Sequence, residues 1–230
     1  FKQKTAYEFR LSLVGSEMCI RDSGPSALSV YGAVRPDGKS MNTPAHLIIS
    51  LAAFGRPGQP RVTAAAVAGG LIPDLSLYLM AGTHLFLMGT PPEVVFGQLY
   101  FSDAWQSVFR IDNSFVLWGI GLALGLMLKS PATVALTAAG LLHLAGDFPL
   151  HNDDARAQFW PVTNWVFASP VSYWDRSHYG NIVGPLEIAL CLGLSVWLLT
   201  RFRRWPMRAF IVLLGLVEAL PGLIWIFVLH

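Results

Sequence analysis

The feature that most constrains this chain is a series of apolar runs separated by short polar breaks. Six runs occur after residue 40, at about 43–55, 62–89, 114–128, 131–150, 182–200 and 207–229. A helix rises 1.5 Å per residue, so about 20 apolar residues cross a ~30 Å hydrocarbon core. The series predicts an all-α, polytopic membrane helix bundle of five to six transmembrane helices, of which 43–55 is the least certain to span because it is short.

The composition agrees with a membrane protein and excludes other classes. Of the 230 residues, 53% are hydrophobic and only 13% are charged, about half the usual charged share. A disordered chain needs the opposite balance. Two cysteines, Cys19 and Cys191, do not make a disulfide scaffold. The net charge of +2, with no basic run between aromatic residues, argues against a nucleic-acid partner. The expected partner is the lipid bilayer.

The first forty residues differ from the rest, since they contain no long apolar run. Residues 1–23 (FKQKTAYEFRLSLVGSEMCIRDS) resemble translated sequencing-adapter read-through, and 24–40 read as in-frame upstream sequence. We therefore expect 1–40 to be a non-native leader, with a short native tail as the alternative. Met41 would then open a single integral membrane domain, 41–230.

Basic residues predict the orientation, because cytoplasmic loops are enriched in Lys and Arg. If all six runs span, one side carries seven basic loop residues, Arg56, Arg61, Lys129, Arg201, Arg203, Arg204 and Arg208. The other side carries three, Arg110, Arg156 and Arg176. The first side is predicted to be cytoplasmic.

The predicted outer loop 151–181 is long and rich in aromatic residues, among them Trp160, Trp165, Trp174, Tyr173 and Tyr179. Tryptophan and tyrosine favour the membrane–water interface. Two interpretations stay open for this loop. It is either a belt of anchors lying on the bilayer, or a lid over a functional site.

The strongest chemical motif follows the fourth run. His143 and Asp147 are spaced i, i+4 and share one helix face, and their side chains suit zinc, manganese or iron. Pro149 disfavours continuation of the helix. The polar residues after it, His151, Asp153 and Asp154, can therefore fold back toward the helix end. The alternative is a hydrogen-bonded His–Asp pair that only stabilises the helix end.

Three acids lie in apolar runs. Asp74 is midway along the second run, in Gly69-Gly70-Leu-Ile-Pro73-Asp74, and a carboxylate there is costly unless it is paired or functional. The two glycines permit close approach of another helix. Glu187 and Glu218 raise the same question. For Glu218 the alternative is a protonated acid with a structural role.

Other candidates gather on the predicted outer side: His46, Arg110, Asp112, Arg176 and His178. The orientation was set by counting Lys and Arg, so the location of His46, Asp112, His178 and the His143–Asp154 motif on one side is independent of it and predicts one site. His84, in the second run, is expected to be a satisfied core histidine. Phosphate-binding and nucleophile-elbow motifs are absent from the sequence, which disfavours nucleotide-driven chemistry and an ordinary serine hydrolase.

Three segments, AHLIIS (45–50), GGLIPD (69–74) and GLLHLAGDFPLHNDDARAQFWPV (140–162), resemble the YdjM-like membrane-bound metal-dependent hydrolases. The resemblance implies His46, Asp74, His143 and Asp147 as metal ligands. With SPVSYWDRSHYG (169–180), the chain is similar to a bacterial subgroup of which some members are labelled as a cobalamin-biosynthesis protein (CobQ). No nucleotide loop or amidotransferase nucleophile supports that label. The location implied is the bacterial cytoplasmic (inner) membrane.

One departure from that family pattern stands out. Where the family has an R-G-x-T-H-S-like segment, this chain reads Arg110-Ile-Asp112-Asn113-Ser114, and asparagine is a poor zinc ligand. Three outcomes stay open: Asp112 substitutes for the histidine, the site is rebuilt around His151 and His178, or activity is lost.

The first hypothesis is a metal-dependent hydrolase with a divalent ion, zinc before manganese or iron, on His143 and Asp147. His46, Asp74 and His151 would complete the ligand set. The general base would be Asp153, Asp154 or His178, and Arg110 or Arg176 would hold an anionic group. The site's position beside an aromatic loop suggests a phosphoester or lipid-like substrate at the outer membrane face.

The second hypothesis is a non-enzymatic transporter or scaffold in which Asp74 and Glu218 line an ion path. The direction in which Asp74 points discriminates between the two hypotheses. Contact with the His143–Asp147 face favours the hydrolase, and contact with Glu218 favours the path.

Overall fold

The computed structural model describes residues 43–173 and 175–228, with side chains described as far as 220. Every regular element in these ranges is helical. Seven longer helices are numbered here α1 (Thr43–Phe54), α2 (Pro60–Gly82), α3 (Asp103–Asp112), α4 (Phe115–Met127), α5 (Pro131–Asp147), α6 (Gly180–Arg201) and α7 (Trp205–Val228). The expected leader 1–40, Met41, Cys19 and Trp174 lie outside the described residues.

Short elements fill the gaps between these helices. Two π-helical turns, Thr83–Leu87 and Val95–Leu99, flank a single turn at Pro92–Val94, and a 3₁₀ turn spans Arg176–His178. Serine side chains cap three helices: the hydroxyls of Ser102, Ser114 and Ser130 accept from the N–H groups of Trp105, Leu117 and Thr133, respectively. Such caps satisfy backbone donors at a helix start.

Three stretches are long and apolar enough to cross a membrane: Pro60–Leu87, Asp103–Met127 and Gly180–Arg201. The chain is thus an all-helical protein with the elements of a membrane protein. Among the described residues these three stretches are fewer than the five to six spans expected. Helix α1 has only 12 residues and α5 only 17, and part of α7 lies beyond the described side chains.

Helices α1, α2 and α5 pack tightly around two glycines of α2. A Cβ atom added at Gly69 would lie 2.0 Å from the carbonyl oxygen of Leu136, on α5. At Gly70 it would lie 2.7 Å from the hydroxyl oxygen of Ser50, on α1. The glycines therefore let both neighbours approach the backbone of α2, as the sequence predicted. Helix α2 continues through Pro73 without ending.

The long segment between α5 and α6 folds back over the end of the bundle. Its aromatic rings pack on one another, with the rings of Phe148 and Phe167 stacked 4.9 Å apart. The N–H of Phe115, at the start of α4, donates to the carbonyl of Gln158. Tyr173 is buried, whereas Trp165 is 53% exposed. Inner residues of the loop thus cover the helix ends, while others face outward.

Substituting Gly69→Ala should destabilise the fold, because the new methyl group meets a backbone carbonyl that cannot move alone. We expect a loss of about 1–3 kcal/mol in the free energy of unfolding. Thermal unfolding of the full chain in detergent would measure it. Gly193→Ala, where an added Cβ meets nothing within 4 Å, is the matched control and should be neutral or slightly stabilising. Equal effects at both positions would contradict this account of the packing.

Candidate metal centre

Two histidines and one aspartate converge at the end of α5. His46, His143 and Asp147 each offer a ligand atom, and these atoms all lie within 4.8 Å of one another. The carboxylate of Asp147 bridges the Nε2 atoms of the two rings, with Oδ1 2.9 Å from His46 Nε2 and Oδ2 3.1 Å from His143 Nε2. The rings themselves are stacked with centroids 3.7 Å apart. The predicted pairing of His143 with Asp147 is confirmed, and His46 joins it.

The orientation of His143 is set by a backbone group of α2. Its Nδ1 lies 2.8 Å from the carbonyl oxygen of Gly70, which can only accept a hydrogen bond. Nδ1 therefore carries a proton, and Nε2 faces the carboxylates of Asp147 and Asp74. Metal-binding histidines are held in this way, with the second ring nitrogen donating to a carbonyl or carboxylate.

Asp74 belongs to the same cluster. It is 1% exposed, and its Oδ1 lies 3.7 Å from His143 Nε2. Its Oδ2 accepts a hydrogen bond from the hydroxyl of Thr43 at 2.5 Å, and Thr43 also bonds the hydroxyl of Tyr78 at 2.6 Å. Among the described residues, no contact joins Glu218 to Asp74. Asp74 thus faces the His143–Asp147 pair, which is the first of the two directions considered for it.

The segment after Pro149 folds back onto α5, as predicted. His151 Nε2 lies 3.5 Å from Asp147 Oδ1, and His151 Nδ1 lies 2.8 Å from Asp154 Oδ2. The hydroxyl of Tyr173 lies 3.4 Å from Nε2. Burial alone would lower the pKa of His151, but the neighbouring carboxylates of Asp147 and Asp154 outweigh it and raise the pKa to about 9. The carboxylates therefore attract positive charge to this position.

Asn113 is not a ligand in this arrangement. Its Oδ1 accepts a hydrogen bond from Arg156 at 2.9 Å, and its amide donates to the carbonyls of Pro73 and Phe109. Arg156 is buried, lies over the ring of Phe109, and brings a guanidinium nitrogen to 4.0 Å from Asp74 Oδ1. Asn113 thus fixes a cation beside Asp74.

The charges of the cluster do not balance by themselves. Three carboxylates, Asp74, Asp147 and Asp154, face one permanent cation, Arg156, so neutral histidines would leave a net charge of −2. Uncompensated charge in a buried site is costly. A divalent cation among the histidine and carboxylate ligands would cancel it, and so would protons on two histidines. The donor set therefore fits a divalent metal ion, although it does not identify the metal.

The remaining predicted residues lie outside these contacts. Asp153 is exposed, and its pKa is raised by partial burial and by Asp154. Arg176 is exposed in the 3₁₀ turn. Arg110 donates from Nε to the carbonyl of Gln106. Among the described residues, nothing joins the side chain of Asp112 to the cluster.

His178 pairs with Asp175 instead of the cluster, at 2.7 Å between Nδ1 and Oδ2. Of the residues named in the alternatives that Asn113 opened, His151 thus lies beside Asp147, whereas no contact among the described residues joins Asp112 or His178 to the cluster. His84, predicted as a core histidine, is half-buried beside Trp105 and 3.3 Å from the hydroxyl of Thr90.

Sequence reasoning missed Arg156, Thr43 and Tyr173 as members of the site. Arg156 counted only toward membrane orientation. Its one signal was that it is a cation on the predicted outer side, five residues after His151 and two after Asp154. Thr43 carried no signal, because Asp74 lies 31 residues away. Tyr173 was considered only as one of the aromatic residues of the loop 151–181.

Substituting His178→Asn should raise the pKa of Asp175. That pKa lies at about 2 because the His178 ring and the Ser177 hydroxyl hydrogen-bond to the carboxylate, and it should move toward 3.8. The pairing stabilises the fold above the ordinary aspartate pKa and is lost as pH falls through about 2. Carboxyl-carbon NMR titration would measure the shift. An unchanged midpoint would show that His178 does not hold Asp175.

Substituting Asn113→Ala should destabilise the chain, because it removes the amide oxygen that accepts from the buried Arg156 and the amide N–H groups that donate to the carbonyls of Pro73 and Phe109. We expect a cost of about 1–3 kcal/mol, measured by thermal unfolding in detergent. Asn181→Ala, at an exposed position in the first turn of α6, is the control and should change stability little. A neutral Asn113→Ala would contradict the role given to this amide.

Comparison with known proteins found no homologue of this chain. No family model, no curated protein and no solved structure matches the chain.

Proposed function

We propose that this protein is a membrane-embedded, metal-dependent hydrolase with its metal on His46, His143 and Asp147. The observation that carries the proposal is the convergence of these three ligand atoms within 4.8 Å of one another. Catalytic zinc sites use three protein ligands of this kind, such as two histidines and a carboxylate, and leave a position for water. Structural zinc sites instead fill all four positions with protein ligands.

The surrounding residues are arranged as supports for such a centre. The carbonyl of Gly70 fixes His143, and the hydroxyl of Thr43 fixes Asp74. Asp74 and His151 are near enough to the three ligands to extend the set. Partners of this kind orient ligands and tune their basicity. The resemblance of 45–50, 69–74 and 140–162 to the YdjM-like hydrolases points to the same residues.

The chemistry proposed is hydrolysis by an activated water. A bound divalent ion would lower the pKa of water toward about 7. Asp154, 2.8 Å from His151 Nδ1, is the preferred partner for proton transfer through His151. Asp153 and His178 are less favoured, because one is exposed and the other is paired with Asp175. Zinc is the first choice of metal, with manganese and iron as alternatives.

The proposed substrate is a phosphoester or lipid-like molecule reaching the site from the outer membrane face. The side chains of His46 and Asp154 are the open edge of the cluster, at 12% and 15% exposed, whereas those of His143 and Asp74 are at most 1% exposed. The exposed Trp165 lies on the same loop that carries His151 and Asp154. A substrate with an apolar portion could rest against that loop. Arg110 and Arg176 stay proposals for holding an anionic group.

A transporter or scaffold is the second candidate. Glu218 favours it, because this acid of α7 is 1% exposed and neither carboxylate oxygen has a hydrogen-bond partner among the described residues. The contacts of Asp74 with Thr43, His143 and Arg156 weigh against a path that joins the two acids.

Elemental mass spectrometry of the purified full chain should find about one equivalent of zinc, manganese or iron. His143→Ala and Asp147→Ala should each remove it, because each deletes a ligand from the centre. His84→Ala is the matched control, since it removes a histidine outside the cluster and should retain the metal. Thermal unfolding of each variant would establish that the protein remains folded.

Activity should follow the metal. Hydrolysis of bis(p-nitrophenyl) phosphate should disappear after chelation and return when zinc is added. If the chain binds metal but hydrolyses neither this ester nor phospholipid esters, the proposed metal centre stands and the proposed hydrolase activity is rejected. No metal in a folded chain, even after zinc is added, would reject both and favour the transporter or scaffold.

A further inference from the structure

A cavity lies at the opposite end of α1 from the histidine cluster. Its volume is about 350 Å³, and it opens where the end of α1, the α4–α5 turn and the end of α6 come together. His46 and Phe54 are eight residues apart on α1, so the two sites are separated by about 12 Å along that helix. A volume above about 300 Å³ is in the range of small-molecule sites.

Three cations line this cavity: Arg56, Lys129 and Arg201. The lining contains no acidic residue, so their charge is not compensated within the cavity. Arg56 and Lys129 are exposed and Arg201 is half-buried. All three belong to the group of basic residues that predicts the cytoplasmic side. A cavity with this charge favours an anionic ligand.

Arg201 is held in place before any ligand binds. Its guanidinium donates to the carbonyls of Ala52 and Gly55 at 3.1 and 3.3 Å, and it lies 4.6 Å from the ring of Trp197. A cation with a fixed position loses little conformational freedom when it meets an anion.

Lys129 is held by the backbone in an unusual conformation. Its φ of 51° is in the left-handed region, which most residues avoid and glycine adopts freely. Lys129 follows the end of α4, where the N–H of Ser130 donates back to the carbonyl of Gly125, and a left-handed residue is common at such a helix end. This turn places a lysine at the rim of the cavity.

The walls between the cations are apolar. Leu126 and Val134 line the cavity, and the neighbouring Met127, Leu128 and Trp205 are exposed by 73% or more. Exposed apolar side chains beside basic ones are typical of the level at which a helix leaves the hydrocarbon core. A ligand here would meet charge at one end and an apolar surface at the other.

We propose that this cavity binds the headgroup of an anionic phospholipid on the predicted cytoplasmic side. The phosphate would contact Arg56, Lys129 and Arg201, and the acyl chains would lie against the apolar wall and its exposed neighbours. Basic pockets between membrane helices on this side bind phosphate headgroups in other membrane proteins. The proposal is independent of the metal centre.

Native mass spectrometry of the full chain in detergent would test it, with dioleoylphosphatidylglycerol as the anionic probe and dioleoylphosphatidylcholine as the zwitterionic one. We expect one tightly bound phosphatidylglycerol and no equally tight phosphatidylcholine. The double variant Arg56→Gln/Lys129→Gln should weaken that binding by about tenfold or more. Arg56→Lys/Lys129→Arg should restore it.

The matched control is Arg203→Gln/Arg204→Gln, which removes the same charge from the same predicted face outside the cavity lining. It should retain the tight lipid. Equal loss in both double variants would overturn the proposal in favour of a general attraction to anionic membranes. Equally tight binding of glycerol 3-phosphate would overturn it in favour of a soluble phosphate ligand. An unchanged thermal midpoint shows that the cavity variant is folded.

Discussion

The burial of two carboxylates within apolar helices is the constraint on which the rest of the structure depends. Asp74 and Asp147 are almost entirely inaccessible to solvent, and an ionised carboxylate in such surroundings is unfavourable unless positive charge or hydrogen bonds compensate it. The compensating groups come from three elements: Thr43 and His46 from α1, His143 from α5, and Arg156 from the following loop. The folding of these elements is therefore coupled through two acids.

Close helix packing makes that compensation geometrically possible. Gly69 and Gly70 bring α5 and α1 against the backbone of α2, so that a carbonyl of α2 reaches the ring of His143. A wider separation would leave the ring without this partner and Nε2 without a defined direction. The glycines are thus as necessary to the centre as the residues that would hold an ion, although they contribute no ligand.

Local spacing predicted the parts of the site that are close in sequence. His143 and Asp147 share a helix face because of their i, i+4 spacing, and Pro149 turns the chain so that His151 returns to Asp147. Asp74 was singled out as an acid within an apolar run and His46 by its place on the predicted outer side, and the family resemblance added their role as ligands. Arg156 and Thr43 could not be predicted, because their partners lie 31 or more residues away. The number of spans also depends on where helices end, which hydropathy resolves poorly for the 12-residue α1.

The arrangement around Asn113 explains how the centre can differ from the pattern it resembles. A histidine at 113 would face the guanidinium of Arg156, and two cations there would repel each other whenever the ring was protonated. The neutral amide instead accepts a hydrogen bond from Arg156 and lets it lie beside Asp74. His151, on the loop after α5, is a third imidazole beside these acids, with Nε2 3.5 Å from Asp147 Oδ1. A neutral side chain at 113 therefore lets one buried cation lie beside Asp74 while three imidazoles gather around Asp147.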